Sequence, residues 1–264
     1  MSEPIIRVEG LTKDFGSVRA VNDATFSIMP GETFGLVGES GSGKSTIAAM
    51  LLCLEKPTAG TIHFRGTRID NLSPRKLLPY RREMQLVMQD PISSLNRRKT
   101  VEQIVGLPLA LHDGLTGEAK RKRIVELLDL VGLPEAFLTR YPHELSGGQC
   151  QRVSIARSLA ISPEFLVLDE SVSAVDVLMQ AQILNLLNAL QKELGLTYLF
   201  VSHDLAVVRY MCSRIAVMQG GTILEISDRE QVFSSSAHPY TQALVAASPA
   251  SLAAAAQDHR EENR

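Results

Sequence analysis

The chain has 264 residues, 45% hydrophobic and 21% charged, enough to bury one large core or two small ones with the balance of a globular protein. Its 27 basic and 29 acidic residues leave a net charge of -2, so no global field draws it to nucleic acid or anionic lipid. The longest apolar-leaning stretch, residues 47–54, is far short of a membrane span, and residues 1–11 carry charges where a signal peptide would have an apolar core. Cys53, Cys150 and Cys212 form no pairing or metal-binding pattern and suit a reducing compartment as small buried hydrophobes. The basic run Arg121-Lys122-Arg123 sits beside Glu118 and Glu126, which makes it a solvated helix face.

In chain order, Ile6-Arg7-Val8-Glu9 and Ala24-Thr25-Phe26-Ser27-Ile28 alternate like half-buried strands, and Pro30-Gly31 is a turn. Thr33-Phe34-Gly35-Leu36-Val37 is a short apolar run of the buried parallel type. It leads into Gly38-Glu39-Ser40-Gly41-Ser42-Gly43-Lys44-Ser45, in which every fixed position of the G-x-x-x-x-G-K-[ST] phosphate loop is filled. Residues 45–54 read as the helix that follows. Thr61-Ile62-His63-Phe64 and Met84-Gln85-Leu86-Val87-Met88 are further strands, and residues 101–160 turn helical. Ile124, Leu127, Leu128 and Val131 recur at helical spacing until Gly132-Leu133-Pro134 stops them. A second helix starts at Ser146, a normal N-cap residue. Parallel-sheet character returns in Phe165-Leu166-Val167-Leu168 and, after a helix over residues 180–194, in Leu199-Phe200-Val201. Two more strands flank Gly220-Gly221 as a hairpin, and the alanine-rich, then charged tail from Ser248 is expected to fray.

Backbone N–H groups of a glycine loop and a helix N-terminus converge on an anion, and glycines at 38, 41 and 43 allow the close approach. Lys44 supplies a cation for the β- and γ-phosphates and Ser45 a hydroxyl for Mg²⁺, with Ser40, Ser42 and Thr46 completing the loop. Asp169 and Glu170 follow a buried strand, at the end where open parallel sheets bind ligands; the bland alternative is that they cap the next helix. Gln89 follows residues 84–88 and precedes Asp90-Pro91. His203 closes Val201-Ser202-His203-Asp204, a position where an isolated histidine is more often structural.

Leu145-Ser146-Gly147-Gly148-Gln149 resembles the signature of the ATP-binding cassette family, and the other motifs follow in that family's order over nearly the whole chain. The resemblance implies an α/β fold: a phosphate-loop (RecA-like) core, an N-terminal antiparallel β subdomain and an inserted helical subdomain. It further implies that Asp169 helps hold Mg²⁺ and that Glu170 polarises the attacking water. Gln89 becomes the glutamine that senses metal and water and links to a membrane partner, and His203 the hydrogen-bond donor to the γ-phosphate. Phe15 sits where the family stacks an aromatic on adenine; a core phenylalanine is the competing reading. Ser146, Gly147, Gly148 and Gln149 would meet the γ-phosphate of a neighbouring subunit, and Ser173-Ala174-Val175-Asp176 would run along that seam, so two cassettes must pair.

The strings around Gln89-Asp90-Pro91-Ile92, Tyr141-Pro142-His143-Glu144 and His238-Pro239-Tyr240-Thr241 resemble the peptide/nickel branch of bacterial importers, and the second, shorter of their two ATPase types. The implied cofactors are ATP and Mg²⁺. The implied partners are a second homologous ATPase subunit, in a homo- or heterodimer, two permease subunits and an extracytoplasmic solute-binding protein, with no nucleic acid. The implied place is the cytoplasmic face of the membrane. Residues 1–236 are expected to form one nucleotide-binding domain, its core over 1–91 and 161–236 and its helical subdomain over about 92–160, with a C-terminal helix and tail over 237–264. Ser171 stands where many relatives carry proline and has no assigned chemistry; Cys150 adds at most a redox liability. No cysteine follows Cys212, so no iron–sulfur cluster is expected. Nickel, opine and glutathione remain open as cargoes, as does a soluble cassette serving a phosphonate-breakdown complex. A phosphate-loop kinase would leave the signature unexplained.

Overall fold

In the computed structural model, residues 3–171, 176–234 and 238–247 are described, and the chain divides into two compact units, Met1–Ser73 with Tyr198–Arg264, and Pro74–Thr197. In the first unit, β1 (Ile6–Phe15) pairs antiparallel with β2 (Val18–Ile28). Both strands run beyond the alternating cores legible in sequence. The reason is a register shift between Val8 and Leu11 at Gly10, whose φ is 59°: the bulge keeps Leu11 buried while breaking the period of two. After β3 (Thr33–Val37), buried along its whole length, and α1 (Lys44–Leu51), β4 (Ala59–Phe64) pairs with β1 and β5 (Thr67–Arg68) with β4. The antiparallel sheet thus has the order β2-β1-β4-β5.

The second unit begins with α2 (Pro74–Glu83), which sequence periodicity did not reveal because only Leu77 of it is buried. β6 (Met84–Val87) follows, then α3 (Pro91–Ser94), α4 (Val101–His112) and α5 (Gly117–Leu130). α5 buries Ile124, Leu127 and Leu128 as its spacing requires. A Cβ on Gly106 of α4 would come within 2.8 Å of Ile124 Cδ1, so the missing side chain lets α4 and α5 approach. α6 (Gly147–Leu159) leads to β7 (Phe165–Asp169), which pairs parallel with β6, and α7 (Val177–Leu194) closes the unit.

The chain returns to the first unit through β8 (Thr197–Ser202), α8 (Leu205–Met211), β9 (Arg214–Gln219), β10 (Thr222–Asp228), α9 (Arg229–Val232) and α10 (Pro239–Ala247). There the strand order is β10-β9-β3-β8, with β3 parallel to both neighbours and β9 antiparallel to β10, a mixed sheet. The hairpin turn Gly220-Gly221 has φ of 53° and 85°, the tight form whose twist matches that of the strands. α8 lies on β3 at Gly35, where a Cβ would meet Cys212 Sγ at 2.9 Å. Among the described residues no helix is long and apolar enough to cross a membrane. The tail from Ser248 lies outside the described residues.

Candidate nucleotide site

The phosphate loop joins β3 to α1. Gly38, Gly41 and Gly43 have φ of 153°, 80° and 102°, and a Cβ on Gly38 or Gly43 would strike the backbone oxygen of Met218 at 2.0 Å or of Ala20 at 2.3 Å. Glycine is needed there on both conformational and steric grounds. Lys44 is only 4% exposed, and its Nζ donates to Gly38 O at 2.8 Å and Glu39 O at 2.7 Å. Its charge is thus held on the inside of the loop by carbonyls, the exchangeable partners a phosphate would replace. Glu39, Ser40, Gly41 and Ser45 are exposed, Thr46 is half-buried and Ser42 is buried.

In the same unit His203 is exposed just past β8. The turn that presents it is held by Ser202 Oγ, which accepts from Asp204 N–H at 3.0 Å, and by Asp204, whose Oδ1 accepts from Ala206 N–H at 2.9 Å and caps α8. Phe15, at the end of β1, is 48% exposed with Lys13 Nζ 4.7 Å from its ring centroid. It is therefore not a core phenylalanine. The sequence reading passed over Glu39 and Tyr240 as a pair: burial and the Glu39 carboxylate beside it push the Tyr240 phenol up. Glu225 fixes this end of the chain, its Oε2 accepting from His238 N–H at 3.0 Å and Thr241 Oγ1 at 2.9 Å.

In the second unit, Asp169 ends β7 and Glu170 follows it, both half-buried. Glu170 has a φ of 46°, in the left-handed region that a side chain rarely adopts, so the chain turns sharply where the carboxylate is presented. Gln89, beyond the end of β6, donates from Nε2 to Glu170 Oε2 at 2.7 Å. The pair is 81 residues apart in sequence and is brought together because β6 and β7 are parallel neighbours. Asp90 next to it caps α3, accepting at Oδ1 from Ile92 and Ser93 N–H, bonds that lower its carboxyl pKa.

Ser146 is the N-cap of α6 with a full capping box: its Oγ accepts from Gln149 N–H and Gln149 Oε1 accepts from Ser146 N–H. Gly148 packs on α7; a Cβ there would come within 2.2 Å of Met179 Cε. Asp176 is exposed and caps α7, its Oδ1 accepting from Met179 N–H at 2.9 Å, while Ser173, Ala174 and Val175 lie outside the described residues.

Among the described residues no group of three or more His, Cys, Asp or Glu side chains could hold a metal ion unaided. In the first unit Ser45 offers a hydroxyl oxygen; in the second, Asp169 offers carboxylate oxygens and Gln89, with its Nε2 engaged by Glu170, its Oε1. Hard oxygens of this kind suit Mg²⁺, which keeps water and substrate phosphates in its shell and needs few protein ligands.

The strand–glycine loop–helix unit, with its buried lysine and the strand-end carboxylates, defines a phosphate-loop nucleotide-binding protein. The chain belongs to the ABC transporter family, whose profile matches residues 21–173, and is one of its ATPase cassettes. It is 48% identical over 235 residues to the oligopeptide transport ATP-binding protein AppF of Bacillus subtilis, covering 89% of this chain and 71% of that one. It is also 48% identical over 258 residues to the glutathione import ATP-binding protein GsiA of Salmonella typhimurium, which spans 94% of this chain but 41% of GsiA. Among solved structures, the dimeric post-hydrolysis state of the ATP-binding cassette MJ0796 with ADP and phosphate superposes with a TM-score of 0.76 at 33% identity, over 85% of this chain and 98% of that one.

Proposed function

We propose that this chain is the ATP-hydrolysing motor of an importer for peptides or related small solutes, working as a dimer of cassettes. Relatives named for oligopeptide transport and for import of glutathione, itself a small peptide, support that cargo class and weigh against a cassette serving a soluble enzyme complex. In this reading the glycine loop's N–H groups take the phosphates and Lys44 exchanges the Gly38 and Glu39 carbonyls for the β- and γ-oxygens. Phe15 stacks on adenine, His203 donates to the γ-phosphate, and Glu170, steered by Gln89, takes the proton of the attacking water. Ser45, Asp169 and Gln89 would hold Mg²⁺, which when bound neutralises charge on the phosphates.

The start of α6, Ser146 to Gln149, serves the ATP of the opposing cassette, with Asp176 beside that seam; the dimeric MJ0796 structure supports such pairing. The partner cassette is a second copy or a homologue, and permeases with a solute-binding protein complete the transporter at the cytoplasmic face of the membrane. Residues 92–160 act as the helical part of the cassette and 1–91 with 161–236 as its core. The 2.7 Å bond between Gln89 and Glu170 is the observation that carries the catalytic assignment. The transport assignment is tested by extracting the tagged protein from its own cell membranes in mild detergent. Co-purification of two permeases and a cassette pair is expected. Recovery only from the soluble fraction with metabolic enzymes attached would overturn import and leave the ATPase.

A further inference from the structure

In the second unit, buried polar side chains that lack a hydrogen-bond partner among the described residues stand on α6 and just past Glu170. Gln151 and Ser154 are 0% exposed and Ser171 2%; the amide Nε2 and Oε1 of Gln151 and the Oγ atoms of both serines are unpartnered. A helix turns about 100° per residue, so Gln151, Ser154 and Ser158 share a sector of α6 about 60° wide. Ser158 reveals where that sector points: its Oγ donates to Leu86 O of β6 at 3.1 Å.

α6 runs antiparallel to β6 and the chain beyond it. Past one end of α6, Glu164 N–H donates to Glu83 O at 2.9 Å, and Ser158 meets Leu86. Gln151 lies about 10 Å further along the helix, the reach of about three extended residues, which brings it level with the chain near Gln89. On one flank of its sector Arg157 donates to Ser94 O at 2.8 Å, and on the other Gly148 abuts Met179 of α7. β6, which this face meets through Ser158, leads to Gln89, which holds Glu170, and the chain continues there into Ser171.

A buried polar atom left dry costs about as much as a lost hydrogen bond, and internal water with two to four partners is the usual remedy where protein groups do not reach. We propose that Gln151, Ser154 and Ser171 hold internal water beneath the signature helix, and that through it Gln151 is a positioning residue for the Gln89–Glu170 pair. The amide of Gln151 offers a donor and an acceptor and each serine either, which is the set a small water cluster needs. The polar path then joins the helix whose N-terminus is Ser146 to the strand ends that carry Glu170. The positioning half rests on the proposed catalytic role of Glu170; the water half does not.

A crystal structure of the full chain, at a resolution that shows ordered solvent, is expected to hold water bonded to the Gln151 amide and to Ser154 or Ser171. Gln151→Leu keeps the volume and removes both polar atoms. It is expected to lose that water and to lower kcat roughly tenfold to a hundredfold, as partners one layer behind a catalytic group do. KM for ATP should stay within about twofold, since ground-state binding is untouched, and the unfolding midpoint should not fall. A purely structural role would lower the midpoint and leave kcat alone. A dry site in the wild type, or a wild-type kcat in the variant, overturns the proposal. If Gln151→Leu does not fold, Ser171→Ala, which deletes one hydroxyl, is read the same way. A wild-type chain without ATPase activity would sink the proposed function and the positioning role with it, and the crystal structure would still decide the water.

Discussion

Lys44 is held by the loop it will serve. With 4% exposure and bonds to Gly38 O and Glu39 O, its ammonium is already desolvated, so in the proposed role ATP would exchange one set of oxygens for another with little reordering. Lys44→Ala removes a charged hydrogen-bond donor and is expected to raise the Kd for ATP by roughly tenfold to a hundredfold, measured by titration calorimetry; unchanged affinity would refute the role. Glu170 is the opposite case, a carboxylate on a backbone turned to a φ of 46°, a conformation retained where the presentation of the side chain matters. Glu170→Gln keeps the size and the bond to Gln89 while removing the base. Turnover should fall by roughly 10²- to 10⁴-fold with ATP affinity retained, and near-normal hydrolysis in a steady-state assay would remove Glu170 from the mechanism.

At the scale of elements, α6 is a structural helix whose start, in the proposed function, is also a ligand surface, and the two uses meet at Ser146. The capping box satisfies the N–H groups of Ser146 and Gln149, and Gly147 between them is half-buried with no side chain to cover the helix start. Substitution separates the uses. Ser146→Ala loses the cap and is expected to cost about 1 kcal/mol of stability. Ser146→Asp keeps a competent cap and places a negative charge where an opposing phosphate would approach, so it should unfold like wild type while losing ATPase activity. Equal activity of Ser146→Asp and wild type would reduce this helix start to a cap.

For the whole molecule, the described residues hold no membrane-spanning helix, and the half-sites read as paired across two chains. Glu170→Gln with ATP and Mg²⁺ should sediment as a dimer and return to monomer on chelation; a monomer throughout would sink the pairing. The cysteines test the packing. Cys150 and Cys212 are buried, and burial pushes both thiols up, the Asp90 carboxylate adding to the effect at Cys150 and Glu32 at Cys212, where Arg229 opposes it. Cys53 is half-buried. A maleimide at neutral pH should therefore modify Cys53 alone in the native protein and all three thiols after unfolding, counted by mass spectrometry. The redox liability entertained for Cys150 has no accessible thiolate to act through.

The sequence by itself determined whatever local chemistry dictates. The glycine loop was legible because only glycine fits its torsions and contacts, the buried strands because their residues are uniformly apolar, α5 because its apolar residues repeat at helical spacing, and the hairpin because Gly220-Gly221 permits a positive φ twice. Motif order was enough to name the family. Where packing among distant residues rules, the sequence was silent or incomplete. β1 and β2 extend past their alternating cores because a bulge shifts the register, and α2 hides because a helix that buries one residue has no apolar stripe. Phe15 was undecidable between core and surface until the end of β1 exposed it. Gln89 and Glu170 became a hydrogen-bonded pair only through the parallel pairing of β6 and β7, and Gln151, Ser154 and Ser171 stood out as buried and unpartnered only once packing was known. Local preferences act over a few residues and are written in consecutive letters; burial and partnership depend on which surfaces meet, and that only the tertiary structure decides.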